Sequence, residues 1–166
     1  MTFKDALLAD FDHEMAVTRR LLDRVPQAGM SWRPHEKSWS LGGLATHLAV
    51  LPRWGSSILE HDRYDVIDDH RGPTAELTTH AEVIETFDRH HMQVRQRLVS
   101  MSEGELVTAW TLRKSGKILM SLPRASAFRS FLIHHLIHHR GQLSVYLRLQ
   151  NVPLPPIYGA TADELL

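Results

Sequence analysis

The chain has 166 residues, 43% hydrophobic and 23% charged, a length and composition that suit one domain with its own core. Lys plus Arg and Asp plus Glu both number 19, so the net charge is zero, which argues against a nucleic-acid binder and against attraction to an anionic membrane surface. There are no cysteines, which excludes disulfides, thiolate metal sites and a cysteine nucleophile.

In chain order, the first helix is expected from Phe3 to about Val25, because Leu7, Leu8, Phe11, Met15, Leu21, Leu22 and Val25 recur at the spacing of one buried face. Its opening, MTFKDALLADFDHEM, meets acidic residues too soon for the apolar core of a signal peptide, and no later run approaches the ~18 apolar residues of a membrane span. A cytoplasmic protein is expected. Pro26 and Gly29 end this helix. Ser40 is placed to cap a second, with Leu41, Leu44, Leu48 and Leu51 on its stripe, a kink at Pro52 and an end near Leu59.

HDRYDVIDDHRGPTAEL reads as a polar loop turning at Gly72-Pro73. Thr79 and Glu82 form a capping-box pattern that opens a third helix, reaching about Met101 with Val83, Phe87, Val94 and Leu98 inward. VTAWTL, KSG and KILMSL suggest a short β-hairpin, or simply an ordered loop, with Gly116 in the turn. The fourth helix runs from Pro123, at the first helical position, to about Gln150, where Asn151, Pro153, Pro155 and Pro156 stop it. The tail is expected to be extended and packed on the body. The predicted architecture is all-α, a single four-helix-bundle domain over residues 1–166 with the hairpin before the last helix.

Histidine is the anomaly, with 12 in the chain and four of them at positions 134, 135, 138 and 139. On a helix, residues i and i+4 stand one turn apart on one face, the spacing that lets two imidazoles reach one cation. His134 with His138 and His135 with His139 both qualify. The second pair shares its face with Phe128, Leu132, Gln142, Leu143 and Tyr146, so it sits more squarely inward, although Ile133, Leu136 and Ile137 broaden the apolar arc. A third ligand would complete a catalytic zinc site, and His47, amid LGGLATHLAVL, is the natural candidate. The ordinary reading of such residues is a hydrogen-bonded core. His61, His70 and His80 read as solvated, His90 and His91 as mid-helix with one turned to water, His13 as part of the acidic first helix, and His35 as a loop residue.

The His-x-x-x-His-Arg-Gly-Gln run of residues 135–142, the isolated histidine of SLGGLATHLAVLPRW and the tail NVPLPPIYG together resemble the DinB/YfiT-like proteins over nearly the whole chain. The resemblance selects His135 and His139 over the neighbouring pair and places the third ligand at His47. It implies a bundle of up-down-down-up connectivity, a divalent cation such as zinc or nickel, a homodimer, and relatives that act on small molecules with low-molecular-weight thiols such as bacillithiol or mycothiol. No residue of this chain selects a thiol.

Three neutral imidazoles leave a divalent cation its full charge and an open position, which serves hydrolysis or thiol S-transfer; the alternative is a non-catalytic metal- or ligand-binding dimeric bundle, its site closed by a fourth protein ligand from His134, His138 or a partner chain. Gln142 and Tyr146, one and two turns beyond His139, are candidate pocket residues, with Trp32 and Trp39 as candidate walls or ordinary packing. His134 and His138 are left to support the ligands or to an interface. Glu36, in a loop, is the nearest acid to the second helix, and the zincin HExxH pattern is absent.

Overall fold

The computed structural model describes residues 1–66 and 75–165. His70 and the Gly72-Pro73 turn lie outside the described residues. Helix α1 spans Phe3–Leu22. Its start is fixed by a reciprocal cap: the Thr2 hydroxyl accepts from the Asp5 N–H, and the Asp5 carboxylate accepts from the Thr2 N–H. It ends earlier than expected, because a proline at 26 disfavours helical backbone at the residue before it.

The second helical column is broken at the expected proline into α2, Leu41–Val50, and α3, Arg53–Glu60. Pro52 has no N–H to donate, and the chain restarts through tight bonds from Trp54 N to Leu51 O and from Gly55 N to Pro52 O. Gly55 lets α3 press against its neighbours: a Cβ there would stand 2.8 Å from both Leu132 Cδ2 and Val94 Cγ1. Gly55→Ala is therefore expected to cost about 1–3 kcal/mol by overpacking, read as a fall in Tm of roughly 2–4 °C per kcal/mol for a domain of this size. Thermal denaturation with an unchanged midpoint would contradict the close approach.

Strand β1 follows at Arg63–Val66, then helix α4 at His80–Ser100 and helix α5 at Glu103–Val107. The capping box at Thr79 and Glu82 forms as the sequence suggests. Strands β2, Ala109–Lys114, and β3, Lys117–Pro123, make the hairpin, turning at Ser115 and Gly116 with φ of 49° and 78°. The fold is thus mostly helical with a small sheet, in which β1 lies parallel to β2 and β2 antiparallel to β3. β1 corrects the reading of its segment as loop only. RYDV alternates polar and apolar residues over only four positions, too short to stand out in a polar stretch, and its order comes from pairing with a strand distant in sequence. Trp110, fully buried, anchors the sheet against Phe131 with ring centroids 5.6 Å apart.

The last column is not one uniform helix. Pro123 closes β3 and precedes α6, Arg124–Phe128; a π-helical segment, Arg129–Ile133, then leads into α7, His134–Leu149. The buried Arg124 ties this column to the end of α3, donating to the carbonyls of Ile58 and His61 and to Asp62. Around the core, α1 packs on α4 and α7, and α2 packs on the same two, so four helical columns close a ring. Leu7, Phe11, Met15, Leu44, Leu48, Val83, Phe87, Leu98, Phe128, Leu132 and Leu143 are among the side chains filling it. The tail stays irregular and lays Val152, Leu154 and Ile157 on the core. No described helix is long and apolar enough to cross a membrane.

Candidate metal centre

α2 and α7 pack side by side, and this brings the three candidate histidines together. His47 lies in the last turn of α2; its neighbours Leu44, Leu48 and Leu51 are buried, so the stripe that seats the helix also turns its imidazole inward. His135 and His139 stand one turn apart on α7. One ring nitrogen from each of the three falls within 4.8 Å of the others. The π-helical turn just before α7 inserts extra backbone, and the His134 N–H bonds back to Arg129 O. His134 and His138 are exposed.

The protonation pattern is unusual. His139 Nδ1 donates to Gln142 Oε1 at 2.7 Å, which leaves Nε2 as a bare lone pair. The His135 ring is hydrogen-bonded to the Phe131 backbone. With its Nε2 turned toward His139, that bond falls to Nδ1. The two Nε2 atoms then face each other at 2.9 Å, and His47 Nε2 is buried with no hydrogen-bond partner. An orphaned buried polar atom costs about 1–3 kcal/mol. A divalent cation resolves all three at once. Two imidazole nitrogens with bonds of about 2.1 Å to one ion sit roughly 3–3.4 Å apart, close to the 2.9 Å between the His135 and His139 nitrogens. The outer bonds to Gln142 and Phe131 are the kind that orient a ligating histidine.

All three imidazoles favour the neutral, ligating form. Burial is the main cause for His47, whose pKa is lowered to about 3, with His139 and His135 adding repulsion. Burial also lowers His139 to about 4 against the opposing Gln142 bond, and it lowers His135. Trp39 walls the group: its ring stacks on His139 at 5.5 Å and meets His47 edge-on at 4.8 Å.

The histidines open onto a cleft of about 1720 Å³ whose wall also includes Trp39, Arg53, Trp54, Tyr64 and His90. Of the four pocket candidates, Trp39 lines this cleft. Gln142 touches His139 instead. Tyr146 meets Trp32 edge-on at 5.7 Å, and neither of these is part of the cleft wall. Among the described residues no fourth ligand joins the three histidines. Glu36 is exposed, as expected of a loop acid.

Two other histidines depart from expectation. His80, read as solvated, is half-buried with Nε2 3.0 Å from Leu22 O. His91 is half-buried against the rings of Phe11 and Phe87. His90 reaches the cleft with Nδ1 on Ala49 O at 3.1 Å. The sequence missed Arg53, Trp54, Tyr64 and His90 as cleft residues, since only the packing of α3, α4 and β1 brings them together. Their one sequence signal is an aromatic and a basic residue side by side at 53–54 and again at 63–64.

The DinB family model matches residues 1–165. The uncharacterized protein YrdA of Bacillus subtilis strain 168 is 27% identical over 164 residues, covering 96% of this chain and 90% of that protein. A DinB-like protein from Bacillus cereus ATCC 10987 superposes with a TM-score of 0.73 at 20% identity, covering 93% of this chain and 97% of that one. The DinB-like protein YjoA from Bacillus subtilis gives 0.70 at 18% identity, covering 92% and 97%. At these identities the two structures speak to the fold.

Proposed function

The chain belongs to the DinB family, and on that premise we propose that it is a metal-dependent enzyme whose His47, His135 and His139 hold one divalent cation, zinc or nickel. The observation that carries this reading is the convergence of one ring nitrogen from each histidine within 4.8 Å, the Nε2 atoms of His135 and His139 2.9 Å apart and His47 Nε2 buried with no hydrogen-bond partner. Held by His47, His135 and His139, a divalent cation would supply Lewis acidity toward a water or a small thiol. The chain's own part is to hold the ligands neutral and oriented. Gln142 and the Phe131 backbone fix two of the rings, and Trp39 shields the group from one side. The breadth of the cleft beside the histidines favours reaction on a small molecule, by hydrolysis or thiol S-transfer, over a closed structural site. We place this activity in the cytoplasm and in a homodimer.

Purified protein is expected to carry about one zinc or nickel per chain. Stripping the metal and restoring it at a hundredfold excess over Kd should stabilise the fold by about 2.7 kcal/mol, roughly 5–11 °C in Tm. Elemental analysis without metal, together with no thermal shift on adding zinc or nickel, would refute the centre. Counting exchangeable waters on the bound ion then separates an enzyme from a non-catalytic binder, since a saturated ion has no place for substrate.

A further inference from the structure

Away from the histidines the cleft runs between α3 and α4. Arg53 opens α3, with Ser57 one turn later; α4 answers with His90, Gln93 and Arg97, three and four residues apart on one face. All five side chains carry hydrogen-bond donors. Arg97 is engaged: it donates to Leu59 O at 3.2 Å and Ser100 Oγ at 3.1 Å and lies 3.7 Å from Glu105. His90 gives its Nδ1–H to Ala49 O, which leaves Nε2 unprotonated. Arg53 differs from both. Glu60 and Asp65 also line the cleft, yet among the described residues Arg53 forms no ion pair with either. Its charge bears instead on His90, whose pKa is held below the ordinary value by burial first, and then by Arg89 and Arg53.

The same cleft wall carries an aromatic cluster. The rings of Trp54 and Tyr64 lie 4.6 Å apart, and Trp54 stacks on Phe131 at 6.4 Å, which connects the wall to the buried Trp110. An aromatic face in the same cleft as a guanidinium that has no acid partner among the described residues suits a ligand with a flat apolar body and a negative end.

We propose that the cleft takes a small organic anion, its apolar or aromatic body against Trp54 and Tyr64, its anionic group on Arg53, and its reactive end toward the histidines. This assignment rests on the reading of the three histidines as a metal centre. The guanidinium fork matches two oxygens of a carboxylate, sulfonate or phosphate. A neutral molecule of the same shape keeps the wall and loses the fork.

The test is calorimetric titration of naphthalene-2-sulfonate and of neutral 2-naphthalenemethanol into metal-free and zinc-treated protein. The sulfonate is chosen because it ligates zinc poorly. One sulfonate per chain is expected, bound at least tenfold more tightly than the alcohol in both preparations. Arg53→Gln should abolish that preference with zinc content unchanged, and Arg53→Lys should keep part of it. Equal affinities for the two compounds, a preference that survives Arg53→Gln, or no heat from either compound would overturn the anion site. Zinc content measured in parallel separates the two readings. Protein that prefers the sulfonate through Arg53 but takes up no metal keeps the anion site and loses the metal centre. Protein that holds zinc without the preference does the reverse.

Discussion

His47→Leu is expected to abolish uptake of zinc or nickel while leaving the metal-free protein at least as stable as the parent. The two halves of this result have one cause. In the metal-free chain His47 Nε2 is buried without a partner, so the imidazole carries a desolvation penalty of about 1–3 kcal/mol. Leucine fits among Leu44, Leu48 and Trp39 and removes the penalty. A core histidine held by hydrogen bonds would behave in the opposite way, destabilising the fold when removed. Gln142→Leu supplies the graded comparison. It leaves three ligands in place but frees the His139 ring, and the loss of such a supporting bond lowers metal affinity about 10–100-fold. Loss of His47 itself should exceed that. Elemental analysis and thermal melts with and without zinc measure both effects. A His47→Leu protein that still takes up zinc with the parent's affinity would end the case for this centre.

Arg140→Met is expected to be the most damaging single change to stability away from the histidines, at about 3–5 kcal/mol. Arg140 follows His139 directly but points the other way, into the seam between α7 and α1, where it is 1% exposed. Its Nη1 lies 2.6 Å from Glu14 Oε2, and Glu14 is 8% exposed. Tyr158 from the tail closes the cluster, donating its hydroxyl to Glu14 at 2.9 Å with its ring 4.8 Å from the guanidinium carbon. The second terminal nitrogen, Nη2, has no hydrogen-bond acceptor, so the ring face is its compensation. Removing the arginine strands a buried carboxylate. Removing both charges does not, and Glu14→Leu combined with Arg140→Met should recover most of the loss. Urea denaturation of the parent and the two variants tests this. A single variant within 1 kcal/mol of the parent would show that water reaches Glu14 freely. Because Arg140 and His139 are adjacent, the same cluster fixes α7 against α1 and thereby the rotation of the ligand pair.

Much of this fold could be read along the chain because its signals are local. A cap at Ser40, a capping box at Thr79 and Glu82, apolar residues at helical spacing and a glycine in a tight turn each act within a few residues, and each formed where expected. The sequence also determined the chemistry: no thiols, a surplus of imidazoles, and two of them one turn apart on a helix. Tertiary structure decided whether those imidazoles could act together. His47 meets His135 and His139 only because α2 packs on α7, which follows a π turn that periodicity had treated as plain helix. β1 acquired its order from a distant partner, and Trp32 and Tyr146 found each other instead of the cleft. The division follows from range. Backbone preference and side-chain spacing are written residue by residue, whereas the sharing of one cation, like the sharing of one cleft, requires contacts between segments that are far apart along the chain.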